Sequence, residues 1–357
     1  MVLELICSLS REESFVTTLL DDIRQSKPYP GRKVPWLSLH NATWPSMEMS
    51  KLRSLTISTV NSMPSHLSRC HLLRVLDLQD CNLEYHPSLR FLGNLFHLRY
   101  LSLAQTGYTG ELPPVDIGKL HTRLPNRLRD LTSLEDLMWA RMDSACTVEE
   151  LGHLTQLRIL KVYLRTVDER VCKALVASLG KLHRIQSLIV LMPHGVAVDL
   201  EGSLESLSNL SHFCIHDTKS LPTWISPASL VLLSYLEIVV VQVRREDIQV
   251  LGKLQALCYP NVRVSGNKKV RDRFMVSPGA FPCVIKCSFY GFTTVPSMFP
   301  SGAMPMLEEF RFCNQLEYFS RGEFTADDLA LGHLPSLQSV YVLLCSPPRT
   351  FFLLMTD

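Results

Sequence analysis

Two nine-residue stretches, 25 positions apart, constrain this chain more than anything else in it. Leu73-Arg-Val-Leu76-Asp-Leu78-Gln-Asp-Cys81 and Leu98-Arg-Tyr-Leu101-Ser-Leu103-Ala-Gln-Thr106 share the form L-x-x-L-x-L-x-x-C/T. Side chains alternate between the two faces of a strand. The fourth and sixth positions of each stretch therefore point to one side, and the third, fifth and seventh to the other. One such strand buries too little apolar surface to fold alone. Stacked in parallel with its neighbours, it closes a continuous core and leaves an outward, concave sheet face.

The pattern recurs along the chain. The first apolar position of each unit falls at Val34, Leu52, Leu73, Leu98, Leu134, Leu157, Ile185, Leu210, Leu233, Leu257, Phe281, Leu307 and Leu337. This phasing predicts parallel strands near 75–79, 100–104, 136–140, 159–163, 187–191, 212–216, 235–239, 283–287, 309–313 and 339–343. A second word, L-G-x-L, precedes many strands, as at Leu151-Gly-His-Leu154, Leu179-Gly-Lys-Leu182 and Leu251-Gly-Lys-Leu254. Its glycine is expected to end a convex-side helix in a left-handed conformation. Residues 168–179 carry a helical apolar face of Val171, Ala174, Leu175 and Leu179. The 36-residue step from Leu98 to Leu134 is too long for one unit and too short for two, as if a strand had been lost. Pro260 stands at an inward position and should weaken pairing there.

Composition removes several function classes. The 357 residues are 46% hydrophobic with net charge +2, which favours a large core and neither nucleic acid nor an anionic membrane. No run of about 18 apolar residues is uninterrupted, so no membrane span is expected. The eleven cysteines are scattered without a C-x-x-C pair, which suits free thiols in a reducing compartment.

No catalytic motif is present, and neither an enzyme nor a cofactor is expected. Cys283 and Cys287, four residues apart on a strand, would be about 13 Å apart, too far to share a metal. The same distance separates His212 from His216. Glu149-Glu150 and Asp327-Asp328 read as residues of polar loops or helix starts, where they would stabilise a helix end. Cys287 and Cys313, both seventh positions, should lie side by side on neighbouring strands as free thiols. What remains is the outward face. Its third, fifth and seventh positions include Tyr100, Asp136, Lys161, Tyr163, Ile189, His212, His216, Tyr235, Glu237, Tyr259, Arg263, Glu309 and Arg311. Aromatic and arginine residues on such a face suit protein binding.

The strand pattern is that of a leucine-rich repeat. The implied fold class is an α/β solenoid, a horseshoe with a parallel concave sheet and short helices, 3-10 turns and loops on the convex side. More specifically, the two stretches above, together with Ile117-Gly-Lys-Leu120, Leu131-Thr-Ser-Leu-Glu-Asp-Leu137 and Glu149-Glu-Leu-Gly-His-Leu-Thr-Gln-Leu-Arg158, resemble the plant intracellular nucleotide-binding leucine-rich-repeat disease-resistance proteins, in particular the grass coiled-coil class. Met1-Val-Leu-Glu-Leu-Ile6 resembles the tail of that family's winged-helix module. The resemblance thus implies a module remnant and linker over 1–33, repeats over 34–345, and an uncapped tail over 346–357, with poor solubility in isolation. No G-x-x-x-x-G-K-[ST] occurs, so the family's nucleotide binding is not carried over. The resemblance implies a cytoplasmic recognition module of plant immunity. Its partner would be a pathogen effector, a guarded host protein or a nucleotide-binding resistance protein. A scaffold or ubiquitin-ligase adaptor is the alternative.

Overall fold

A computed structural model describes residues 17–20, 35–40, 49–58, 65–78, 89–103, 128–265 except 194, 196 and 203, 275–291, 298–315 and 330–345. The expectations for Met1-Val-Leu-Glu-Leu-Ile6, Cys81, Ile117-Gly-Lys-Leu120, Asp327-Asp328 and the tail fall outside these residues. The chain forms two compact units, Met1–Arg165 and Thr166–Asp357.

The first unit contains β1 (Thr17–Leu20), β2 (Trp36–His40), β3 (Ser54–Ser58), β4 (Val75–Asp77), β5 (Tyr100–Ser102), β6 (Asp136–Met142) and β7 (Ile159–Leu164). Each pairs in parallel with the next. The second unit contains β8 (Ser187–Leu191), β9 (His212–Thr218), β10 (Tyr235–Val240), β11 (Tyr259–Val264), β12 (Lys286–Tyr290), β13 (Glu309–Gln315) and β14 (Ser339–Cys345), again parallel in chain order. This is a leucine-rich-repeat solenoid. The inward leucines Leu76, Leu78, Leu101, Leu103, Leu137, Leu160, Leu188 and Leu236 are all fully buried. Each contributes about 1.5–3 kcal/mol by leaving water.

The convex side follows from local sequence. Helix α1 (Ala145–Leu151) is capped by Ser144, whose hydroxyl accepts from the Thr147 amide. Helix α2 (Glu169–Leu179) is capped by Asp168, which accepts from the Val171 amide at 2.8 Å. Its Val171, Ala174, Leu175 and Leu179 are buried, as the spacing predicts. Helix α3 (Arg245–Gly252) begins with the Asp247 carboxylate accepting from the Arg244 amide at 2.8 Å. Strands β5 and β6 pair directly, Tyr100 opposite Asp136, so no strand stands between them in the ladder despite the 36-residue step.

Three expectations need correction. The L-G-x-L glycines are right-handed: Gly152 and Gly180 have φ of −63° and −60°. At Gly252 the requirement is space instead. A Cβ there would lie 2.8 Å from the Ala280 Cβ, and the Gly252 carbonyl accepts from the Phe281 amide at 2.8 Å. Glu149-Glu150 lies in the last turn of α1, not at a helix start, and the Glu150 carboxylate accepts from the Arg129 amide of the preceding coil. The unit assigned to Phe281 starts at Val284: β12 begins at Lys286, Cys287 pairs with Phe310, and Cys313 pairs with Tyr290. Cys287 and Cys313 are therefore not abreast. Cys287 holds the inward fourth position and is 1% exposed, whereas Cys283 lies before the strand and is exposed. Phe281 misleads because it is also buried, but at a φ of 55° in the turn before the strand. Pro260 is accommodated inside β11. The ladder to β10 runs over six residue pairs, and the ladder to β12 over three, starting at Asn261. The shorter ladder fits a missing donor on that side.

Two measurements check this packing. Gly252→Ala is expected to destabilise by about 1–3 kcal/mol through overpacking. Gly332→Ala, where a Cβ meets open space, should stay within about 0.5 kcal/mol, both read from denaturant midpoints. Under native alkylation, Cys283 should react at least roughly tenfold faster than Cys287, whose thiol is buried and pushed well up in pKa by that burial.

Candidate protein-binding face

The outward positions of both units carry the polar and aromatic side chains. In the first unit, Tyr100 and Asp136 face each other across β5 and β6, and Lys161 lies one strand further on. Burial raises the pKa of both Tyr100 and Asp136, and Asp77 and Asp136 raise the tyrosine further. Strand β6 carries one extra residue, Trp139, held at a φ of 60°. A bulky residue in that region is strained by about 1–3 kcal/mol. The bulge puts the indole under the Lys161 ammonium, 5.5 Å from the ring centroid. Beyond it, Arg141 pairs with Asp143 at 3.0 Å.

The second unit repeats the device. Strand β9 carries the extra residue Asp217 at a φ of 65°, and the register with β10 shifts there. Before the bulge, His212 and Tyr235 are opposite one another and stack at 4.1 Å with their rings nearly parallel. Cys214 lies abreast of Glu237. The Glu237 carboxylate accepts from the Tyr235 hydroxyl at 2.8 Å and lies 3.3 Å from His216 Nε2. Burial pushes the Glu237 carboxyl up, but His216, Tyr235 and Arg263 outweigh it and hold the carboxyl below its ordinary range. Burial and the Glu237 carboxylate push the Tyr235 phenol far upward.

Farther along, Arg263 lies over the Tyr290 ring at 5.1 Å, and Arg311 over Tyr341 at 5.3 Å. Glu309 joins Arg311 at 2.6 Å and Lys286 at 3.4 Å. Tyr259 is exposed, and Ile189 is half-buried abreast of Cys214.

Two of the outward residues are not solvent-facing. Tyr163 and His216 are each 5% exposed. Tyr163 lies beside Arg141 past the β6 bulge, and His216 is enclosed by Cys214 and Glu237. The phasing puts Cys214 and Tyr341 at outward fifth positions without singling them out, and it misses Trp139 and Tyr290 altogether. Tyr290 was lost with the three-residue misphasing of β12. Trp139 was lost because a bulge changes which residues face out.

Similarity places these features in a family. The leucine-rich repeat region model matches residues 51–122 and 119–350. At1g59780, an Arabidopsis thaliana protein named for disease resistance, is 26% identical over 370 residues, covering 89% of this chain. The disease-resistance RPP8-like protein 2 of the same plant is 26% identical over 265 residues, covering 67% of this chain. The chain spans 38% and 28% of these two relatives' lengths. Among solved structures, the leucine-rich-repeat protein LIC12759 of Leptospira interrogans has a TM-score of 0.44 at 15% identity, covering 84% of this chain and 81% of that one. TLR13 in its complex with ssRNA13 has a TM-score of 0.41 at 14% identity, covering 93% of this chain and 52% of that one. Among the described residues, no helix is long and apolar enough to cross a membrane.

The Glu309 cluster gives a pH prediction. Burial raises the Glu309 carboxyl, but Arg311 and Lys286 prevail and lower it below its ordinary 4.5. A depressed carboxyl stabilises the fold fully above the unfolded value and loses that effect as pH falls through the folded value. The melting-temperature advantage of the wild type over Glu309→Gln should therefore be full well above pH 4.5 and be lost progressively as the pH falls from there through the lower folded value. With its strand ladders and repeat matches together, the chain belongs to the leucine-rich repeat region family.

Proposed function

We propose that the outward strand face is a protein-recognition surface acting in plant defence. The carrying observation is the set of aromatic side chains covered by cations or stacked rings: Arg263 on Tyr290, Arg311 on Tyr341, and His212 on Tyr235. Rigid aromatics and arginines of this kind are the residues that dominate protein interfaces. The disease-resistance names of the relatives support the setting. On this reading the protein works in the cytoplasm, within the coiled-coil class of grass resistance proteins. Its face meets a pathogen effector, a guarded host protein, or a nucleotide-binding switch whose inactive state it holds. No catalytic step is part of the proposal.

Affinity capture from pathogen-challenged and unchallenged plant tissue tests it. Wild type should retain at least one protein that the double variant Arg263→Glu, Arg311→Glu loses by roughly 30-fold, the effect of a hot spot worth about 2 kcal/mol. Lys181→Glu, exposed just after α2, should retain that protein. Equal capture by all three chains would exclude the outward face as the binding surface.

A further inference from the structure

Three ligand-type atoms converge on the outward face of the second unit. Cys214 Sγ lies 3.5 Å from His216 Nε2, and His216 Nε2 lies 3.3 Å from Glu237 Oε1. All three atoms are within 4.8 Å of one another. Cys214 and His216 are 6% and 5% exposed.

Hydrogen bonding alone does not account for this arrangement. In either neutral tautomer Nε2 carries one proton or one lone pair, so it serves one neighbour at a time. Nor is it a nucleophile–base relay. There the imidazole turns one nitrogen to the thiol and the other to the carboxylate. Here both neighbours meet the same nitrogen, and the third edge, from the Cys214 sulfur to the Glu237 carboxylate, is at most 4.8 Å. Tetrahedral zinc has Zn–S of about 2.3 Å and Zn–N and Zn–O of about 2.0–2.2 Å, which gives edges of about 3.5 Å for S···N and about 3.3 Å for N···O. Both edges are already present.

The surroundings fit a metal as well. Tyr235 donates to the second oxygen of Glu237 at 2.8 Å, the outer hydrogen bond that fixes a ligating carboxylate. A thiolate and a carboxylate together balance a doubly charged cation. The thiolate favours zinc over magnesium or calcium.

We propose that Cys214, His216 and Glu237 bind one zinc ion, with water in the fourth position. On binding, the sulfur–zinc bond forms and the thiol proton passes to solvent; no electron is transferred. The site does not depend on which protein the face recognises.

The test is titration of the full chain with cobalt(II), then zinc, in a thiol-free reductant. About one equivalent of cobalt should produce the visible bands of a tetrahedral site and a near-ultraviolet thiolate charge-transfer band, and zinc should erase both. Cys214→Ser should abolish the charge-transfer band. His216→Gln and Glu237→Gln should weaken binding at least roughly tenfold, and Tyr235→Phe about tenfold. A charge-transfer band that survives Cys214→Ser, or wild-type affinity no greater than that variant's, overturns the proposal. Alkylation of the unmodified chain gives a reading free of folding defects. Zinc should protect Cys214 while leaving the exposed Cys146 and Cys283 reactive, and unchanged labelling of Cys214 overturns the site.

Discussion

Everything in this structure depends on burying the fourth and sixth residues of each repeat unit against the same residues of the next. Leu76 meets Leu101, Leu101 meets Leu137, and Leu137 meets Leu160, all fully buried. No strand of three to seven residues could bury such side chains alone, so each unit is stable only beside a neighbour. At the last described strand the inward residues are less covered. Val340 and Val342, at the fourth and sixth positions of the unit that holds β14, are 37% and 44% exposed, whereas Phe310 and Phe312 on β13 are fully buried. Among the described residues, β14 is flanked by β13 alone.

Because the inward positions are committed to this ladder, chemical variety is left to the outward ones. Both bulges lie there. Trp139 and Asp217 both adopt left-handed backbone, which an aspartate tolerates and a tryptophan does not, and each shifts the register beside a cluster of charged or aromatic side chains. Strain of this kind persists only where the surrounding ladder holds it in place. The rigid scaffold and the strained insertions thus belong to one arrangement: regular strands supply the stiffness, and single extra residues redirect what the face presents.

Most of the ladder was legible in the sequence, because leucine spacing and strand periodicity state the same thing twice. The failure at β12 has a simple cause. Cys287 occupies a position that leucine usually holds, and Phe281, six residues before it, offered a more apolar start. Burial of Tyr163 and His216 was not legible, since it depends on bulges and lateral neighbours rather than on parity. The Cys214–His216–Glu237 cluster was legible in principle. Cys214 and Glu237 are fifth positions of consecutive units, 23 residues apart, and the strand register sets them abreast. Comparing residues along one strand misses such a pair; comparing equal positions across strands finds it.

The inward ladder is tested most directly by hydroxyl-radical footprinting of the native chain, read at single residues. Leu72 is 45% exposed beside a fully buried Leu73, Leu232 is 51% exposed beside a fully buried Leu233, and Met306 is 54% exposed two residues from a fully buried Met304. Chemical type is matched within each pair, so only repeat position separates them. The account predicts heavy oxidation of Leu72, Leu232 and Met306, with Leu73, Leu233 and Met304 protected. Equal oxidation within the pairs would contradict it.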